Sequence, residues 1–261
     1  MRGELAFGLR YAGAIARRRA RSLPVLWRAF PRPAAEADDA PLPAMGSTVT
    51  VDGIAMRIDP RMSPFNIRKL ASGRHTRHER DLLARALRPE DRVLELGGGI
   101  GMVAIECARR LGAGRVTSYE ANPELESLIR ENYALNGVAP DLRMAMVGPE
   151  EGARAFHLAD RFSHSSVYDV GESERRVSVP VHAFGRVMAE VRPTVLVVDI
   201  QGAERELFRY GRFDGVRLIL VELHPFIVGL PGMLAIRRRL GAEGFRETAR
   251  SGNSHVFERA G

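Results

Sequence analysis

Four carboxylates and one histidine stand at the ends of apolar runs, where side chains of these types can do chemistry. Residues 92–101 read R-V-L-E-L-G-G-G-I-G: an apolar run of strand length reaches Glu95 and then glycines at 97, 98, 99 and 101. Such glycines let the backbone take positive φ and let a ligand lie against the main chain without meeting a Cβ. Glu120 ends the next apolar run, at a position where a carboxylate can accept hydrogen bonds from ribose hydroxyls. Further on, D-I-Q-G-A-E at 199–204 follows the most apolar run of the chain, and V-E-L-H-P at 221–225 follows another. Asp199, Glu204, Glu222 and His224 are therefore candidate catalytic residues, with Asp199 or His224 as a general base and Glu204 and Glu222 as orienting groups.

The glycine turn by itself does not choose a ligand. Gly99, Gly101 and Ala104 also fit the G-x-G-x-x-A form of a dinucleotide fingerprint, with Glu120 at a suitable distance, so a nicotinamide-dependent oxidoreductase stays open as an alternative. Glu95 weighs against it, because a pyrophosphate gains nothing from negative charge beside the turn. S-adenosylmethionine carries a cationic amine and a sulfonium and no phosphate, so a carboxylate there is favourable. Glu95, Gly97, Gly99, Gly101, Glu120 and Asn122 are the candidate cofactor contacts.

The pattern that must position these residues alternates helices with strands. A strand pair is expected at 49–58 around Asp52-Gly53. A helix opened by Ser63-Pro64 and closed by Gly73 follows, then a helix whose Thr76 and Glu79 read as a capping box. After the glycine turn come a helix ending at Gly112, a strand at 115–120, a helix capped by Asn122 with Pro123 in its first turn, and a third strand at 142–147. A short strand is readable at 155–158, and the polar stretch 161–174, with His164, Ser165 and Ser166, reads as loop. Strands at 176–181, 194–200 and 218–223, a helix at 183–191 and a closing hairpin from 245–248 and 255–258 complete the pattern.

Composition narrows the setting. At 261 residues and 45% apolar, the chain can bury one sizeable α/β core. The lone cysteine, Cys107, excludes an internal disulfide and a multi-cysteine metal site; it reads as a small buried apolar side chain, and no metal-ligand set is read from the spacing. Residues 1–30 hold seven arginines against one glutamate, a balance of +6 out of the whole chain's +7. The basicity therefore belongs to this extension, and no nucleic-acid partner is expected for the rest. The extension reads as a loosely docked tail, with peripheral contact to an anionic membrane surface as the alternative. Residues 31–45 are a proline-rich acidic linker, which divides the chain into an extension (1–45) and a folded domain (46–261).

Across 72–258 the chain resembles the FkbM family of S-adenosylmethionine-dependent methyltransferases. The resemblance rests on Gly73 with Glu79, on V-L-E-L-G-G-G-I-G, on Y-E-A-N-P at 119–123 and on D-I-Q-G-A-E, where Gln201 replaces the family's middle glutamate. It implies a class I methyltransferase (Rossmann-like) α/β fold, a three-layer sandwich with a mostly parallel sheet and a C-terminal antiparallel hairpin. It also implies methylation of a hydroxyl on a sugar, glycan or natural-product acceptor by in-line displacement. A cytoplasmic setting is expected of the chain, with which its single cysteine is compatible. A non-catalytic, membrane-associated cofactor-binding module on the same fold is the remaining alternative.

Overall fold

The structure is a computed structural model that describes residues 41–158 and 175–260. It opens with the hairpin β1 (Thr48–Val51) and β2 (Ile54–Arg57), joined by Asp52 and Gly53, both at positive φ. Helix α1 (Pro64–Ala71) is capped by the Ser63 hydroxyl, which accepts the Asn66 N–H at 3.1 Å. Helix α2 (Arg77–Ala86) begins differently from the capping box expected of it. Thr76 stands at φ 47°, its side chain caps nothing, and the Glu79 carboxylate instead accepts from the Ser254 hydroxyl.

Next come β3 (Val93–Leu96), α3 (Met102–Leu111), β4 (Val116–Glu120), α4 (Glu126–Leu135) and β5 (Asp141–Met144). Asn122 caps a short 3-10 turn ahead of α4, accepting the Glu124 N–H at 3.0 Å. The expected third strand is split at Ala145: its second half, β6 (Met146–Gly148), leaves the main sheet and pairs with β8 (Arg175–Ala183). Antiparallel to β8 runs β7 (Gly152–Leu158), longer than the strand read from the sequence. The chain continues through α5 (Phe184–Val191), β9 (Val195–Val198), α6 (Glu204–Tyr210), β10 (Leu218–Glu222) and α7 (Pro225–Ala242), which is broken at Gly229. The hairpin β11 (Phe245–Ser251) and β12 (Ser254–Arg259) ends it.

Among the described residues the main sheet has the order β11-β12-β10-β9-β3-β4-β5, parallel except where β12 meets its two neighbours. Its central strands β3, β4 and β9 are buried on both sides, which is why β9 reads as unbroken V-L-V-V. Alternation divides them between two cores. Val93, Val195 and Val197 pack with α1 to α4, while Leu94, Leu96, Leu196 and Val198 pack with α5 to α7. The result is the three-layer class I methyltransferase-type sandwich, mostly parallel, with its antiparallel C-terminal hairpin. No helix among the described residues is long and apolar enough to cross a membrane. The basic extension and its membrane alternative lie outside the described residues.

At the amino ends of the central strands, the fully buried Asp91 accepts from Arg217 Nε at 2.8 Å, Thr194 Oγ1 at 2.7 Å and the Arg88 N–H at 2.7 Å. Burial opposes its ionisation, yet these partners hold its carboxyl below the ordinary value. Removing one member of a buried ion pair strands the other, so Asp91→Ala should cost about 3 kcal/mol or more, read as a lower midpoint in urea unfolding.

Candidate active site

At the opposite edge, the carboxyl ends of β3, β4, β9 and β10 open into a crevice of about 340 Å³. The chain runs outward from β3 to β4 and β5 and returns later to β9 on the other side of β3, and the crevice lies at that switch point. Met146, Val147 and Phe156 from the small sheet form one wall, and the corner between α1 and α2, including Lys69, His75, Thr76 and His78, forms another.

The glycine turn is the floor. The N–H groups of Gly97 and Gly98 both donate to the Tyr119 carbonyl at 2.9 Å, which fixes the turn on β4. Gly97 stands at φ 92°, and a Cβ there would fall 1.8 Å from the Asp199 carbonyl oxygen. Gly99 is the reverse case: at φ 55° it has nothing within 4 Å of an added Cβ, so its face is left to a ligand. Glu120 braces the turn from the side, accepting the Gly99 N–H at 2.8 Å on Oε2 and the Asn122 N–H at 2.7 Å on Oε1. Strand alternation turns Glu95 inward beneath the turn, beside its register partner Ser118, whose hydroxyl it accepts. Burial pushes the Glu95 carboxyl up to about 7, with Glu120 adding to the effect.

At the other end, four groups converge. His224 Nδ1 is 3.0 Å from Glu204 Oε1, and its Nε2 is 3.5 Å from Asp199 Oδ1. Glu204 is fully sealed from solvent, with Oε1 also accepting the Gly202 N–H at 3.1 Å and Oε2 without a partner. Asp199 keeps 31% of its side chain exposed and takes a hydrogen bond from Gln201 Nε2 at 3.0 Å. Burial raises both Asp199 and Glu222, and the charge of Asp199 raises Glu222 further. Burial works against the imidazolium of His224, but the Glu204 hydrogen bond and the charge of Asp199 prevail and hold it at about 9.

Of the residues expected from the sequence, Glu95, Gly97, Gly99, Glu120, Asp199, Glu222 and His224 line the crevice, with Glu204 directly behind His224. Two expected cofactor contacts stand elsewhere. Gly101 is the position before α3, where a Cβ would press on the Tyr133 ring at 2.8 Å, so its smallness serves helix packing. Asn122 is buried with its side chain spent on the cap. His164, Ser165 and Ser166 lie outside the described residues. Sequence reasoning missed Met146, Phe156 and the α1–α2 corner as walls. The corner had one local signal, a cluster of Lys69, Arg74, His75 and His78 within ten residues. Cys107 is buried in α3, and burial raises its thiol well above the ordinary value, as expected of a core side chain.

A family model, the TRM5/TYW2 methyltransferase domain, matches residues 51–165. The domain fold is that of the class I methyltransferases. Over 148 residues the chain is 31% identical to a ribosomal protein L11 methyltransferase of Symbiobacterium thermophilum, covering 55% of this chain and 46% of that protein. The chain thus spans about half the length of that relative. The TYW2 structure of M. jannaschii in complex with AdoMet is 14% identical, with 84% of this chain and 88% of that one covered and a TM-score of 0.42. The ribosomal protein L11 methylase of Lactobacillus delbrueckii subsp. bulgaricus is 15% identical, with 78% and 86% covered and a TM-score of 0.43. The matched family differs from the FkbM family of the sequence resemblance, and its match ends before Asp199.

The two crevice glycines should respond differently to substitution. Gly97→Ala meets both a backbone clash and a strained φ and should cost at least about 3 kcal/mol in urea unfolding. Gly99→Ala should cost only about 1 kcal/mol, from the φ alone, while weakening binding of S-adenosylhomocysteine in calorimetry. Glu95 supplies a pH test. Its carboxyl ionises in the fold near 7 rather than at the ordinary 4.5, so its contribution is lost as pH rises through 7. Glu95→Gln should therefore gain stability over the parent at pH 8 and not at pH 4, in paired urea titrations.

Proposed function

We propose that the chain transfers a methyl group from S-adenosylmethionine to a hydroxyl oxygen of a small-molecule or glycan acceptor. The observation that carries this reading is one crevice with two differently equipped ends: the open Gly99 turn with Glu95 and Glu120, and the Asp199, Glu204, Glu222 and His224 cluster. The family model and the L11 methyltransferase relative support methyl transfer as the reaction class. For the acceptor half, which the family model does not reach, D-I-Q-G-A-E supports the FkbM resemblance and with it a hydroxyl acceptor.

The residues at the glycine turn fit the methyl donor better than a dinucleotide. The Gly99 N–H, one of the donors a pyrophosphate would need, is taken by the Glu120 carboxylate, and Glu95 sits below it. Glu120 retains acceptor capacity for ribose hydroxyls, Gly99 gives close approach, and Ile100, Met146 and Phe156 offer an apolar surface for a base. When bound, S-adenosylmethionine supplies a methyl group already activated on a sulfonium. The protein's tasks are then orientation and the acceptor's proton. Of Asp199, His224 and Glu204, Asp199 is the most open to the crevice, at 31% exposed against 16% for His224 and none for Glu204. It is the proton acceptor in this reading. His224, tied to Glu204 through one nitrogen and facing Asp199 with the other, holds that carboxylate in place, and Glu222 flanks it.

A second reading, an RNA or protein acceptor, is favoured by the names of the matched family and relative. Both readings are tested together. Calorimetry should show binding of S-adenosylhomocysteine and none of NAD. Asp199→Asn should then lower turnover by about a hundredfold or more with a hydroxylated acceptor, while the affinity for S-adenosylhomocysteine stays within about threefold. Full turnover in both Asp199→Asn and His224→Ala would sink the assignment, and methylation of tRNA or a ribosomal protein in preference to every small acceptor would select the second reading.

A further inference from the structure

The cluster opposite the glycine turn has more acceptor capacity than its protein partners use. Asp199, Glu204 and His224 each bring one donor atom to within 4.8 Å of the other two. Glu204 is fully buried, yet its Oε2 has no hydrogen-bond partner, an arrangement that costs free energy unless something else meets that oxygen. Glu222 stands at the same strand end and faces the same crevice. Of the cations lining the crevice, His224 acts on Asp199 and Glu222, and Lys69 acts on Glu222.

We propose that Asp199, Glu204 and His224 form a binding site for one divalent first-row transition-metal ion. The Glu204–His224 pair is spaced suitably: ligand atoms adjacent around a cation with bonds near 2.1 Å lie about 3 Å apart, and Glu204 Oε1 and His224 Nδ1 are 3.0 Å apart. The cation takes the place of the hydrogen shared by those two groups and the unpartnered Oε2 gains a positive neighbour, while Asp199, which faces the other ring nitrogen at 3.5 Å, turns toward the ion to complete the set. Two carboxylates and one imidazole are a mixed oxygen and nitrogen set, which suits Mn²⁺ or Zn²⁺ better than Ca²⁺. Three protein ligands leave positions open toward the crevice, where an acceptor oxygen can bind and pass its proton more readily to the Asp199 oxygen that the ion does not hold. That use of the ion rests on the methyl-transfer reading, whereas the site itself does not.

The test is a titration of the untagged full chain with Mn²⁺ alone, followed by electron paramagnetic resonance, where bound ion no longer gives the free-ion signal. The expected result is saturable binding of one Mn²⁺ per chain, competed by Zn²⁺, with affinity reduced by at least about tenfold in both Asp199→Asn and His224→Asn. Far-UV circular dichroism of each variant establishes folding, and if one variant does not fold, the other decides. Absence of saturable binding by the parent chain below about 1 mM Mn²⁺ and Zn²⁺ overturns the site, as does parent-like affinity in a folded variant. Because no methyl donor or acceptor is present, failure here leaves the calorimetric test of the methyl-transfer reading standing.

Discussion

The crevice depends on the close approach of two strand ends. Gly97 leaves no room for a side chain because the Asp199 carbonyl occupies the place a Cβ would take, and the Asp199 N–H donates to the Leu96 carbonyl at 2.9 Å. The last peptide of β3 and the first peptide beyond β9 are thereby locked together. The glycine turn and the Asp199 carboxylate, assigned to donor and acceptor in the proposed reaction, are set by the same backbone contact, with no loop between them to absorb slack. For a reaction whose barrier is lowered chiefly by placing two reactants in line, such a joint is worth more than any single side chain.

The two edges of the sheet treat buried acids in opposite ways. Asp91, at the amino edge, has an arginine, a hydroxyl and a backbone N–H arranged around it, and its charge is settled. At the carboxyl edge Glu95, Asp199 and Glu222 are all raised by burial, and Glu204 keeps an oxygen unmet. Perturbed groups gathered on one side, with compensated ones on the other, mark the carboxyl edge as the candidate site.

Much of this was readable from residue order. Apolar runs located β9 and β10, an apolar run ending in glycines located β3, and the side-chain alternation of β3 accounts for Glu95 lying beneath the turn rather than beside it. The readings that failed did so where a distant partner intervened. Glu79 has the spacing of a capping box, but Ser254, far along the chain, takes its carboxylate. Residues 142–147 have the composition of one strand, but β4 claims one half and β8 the other, and no local pattern records that choice. Gly101 carries the same motif as Gly99, and only the Tyr133 ring reveals that it serves packing. The walls of the crevice were the least legible part, because Phe156 and the α1–α2 corner meet only through tertiary structure.

The contact between Ser254 and Glu79, with its neighbour between Ser251 Oγ and His78 Nδ1 at 2.5 Å, ties the tip of the final hairpin to the start of α2. Both His78 and Glu79 face the crevice. On a ribosome, the glycine turn and the whole of β3 to β5 emerge at least about a hundred residues before the serines that secure this wall. A nascent chain thus presents the floor of its crevice well before the wall is fastened, and the crevice takes its final form only when the last two strands have been made.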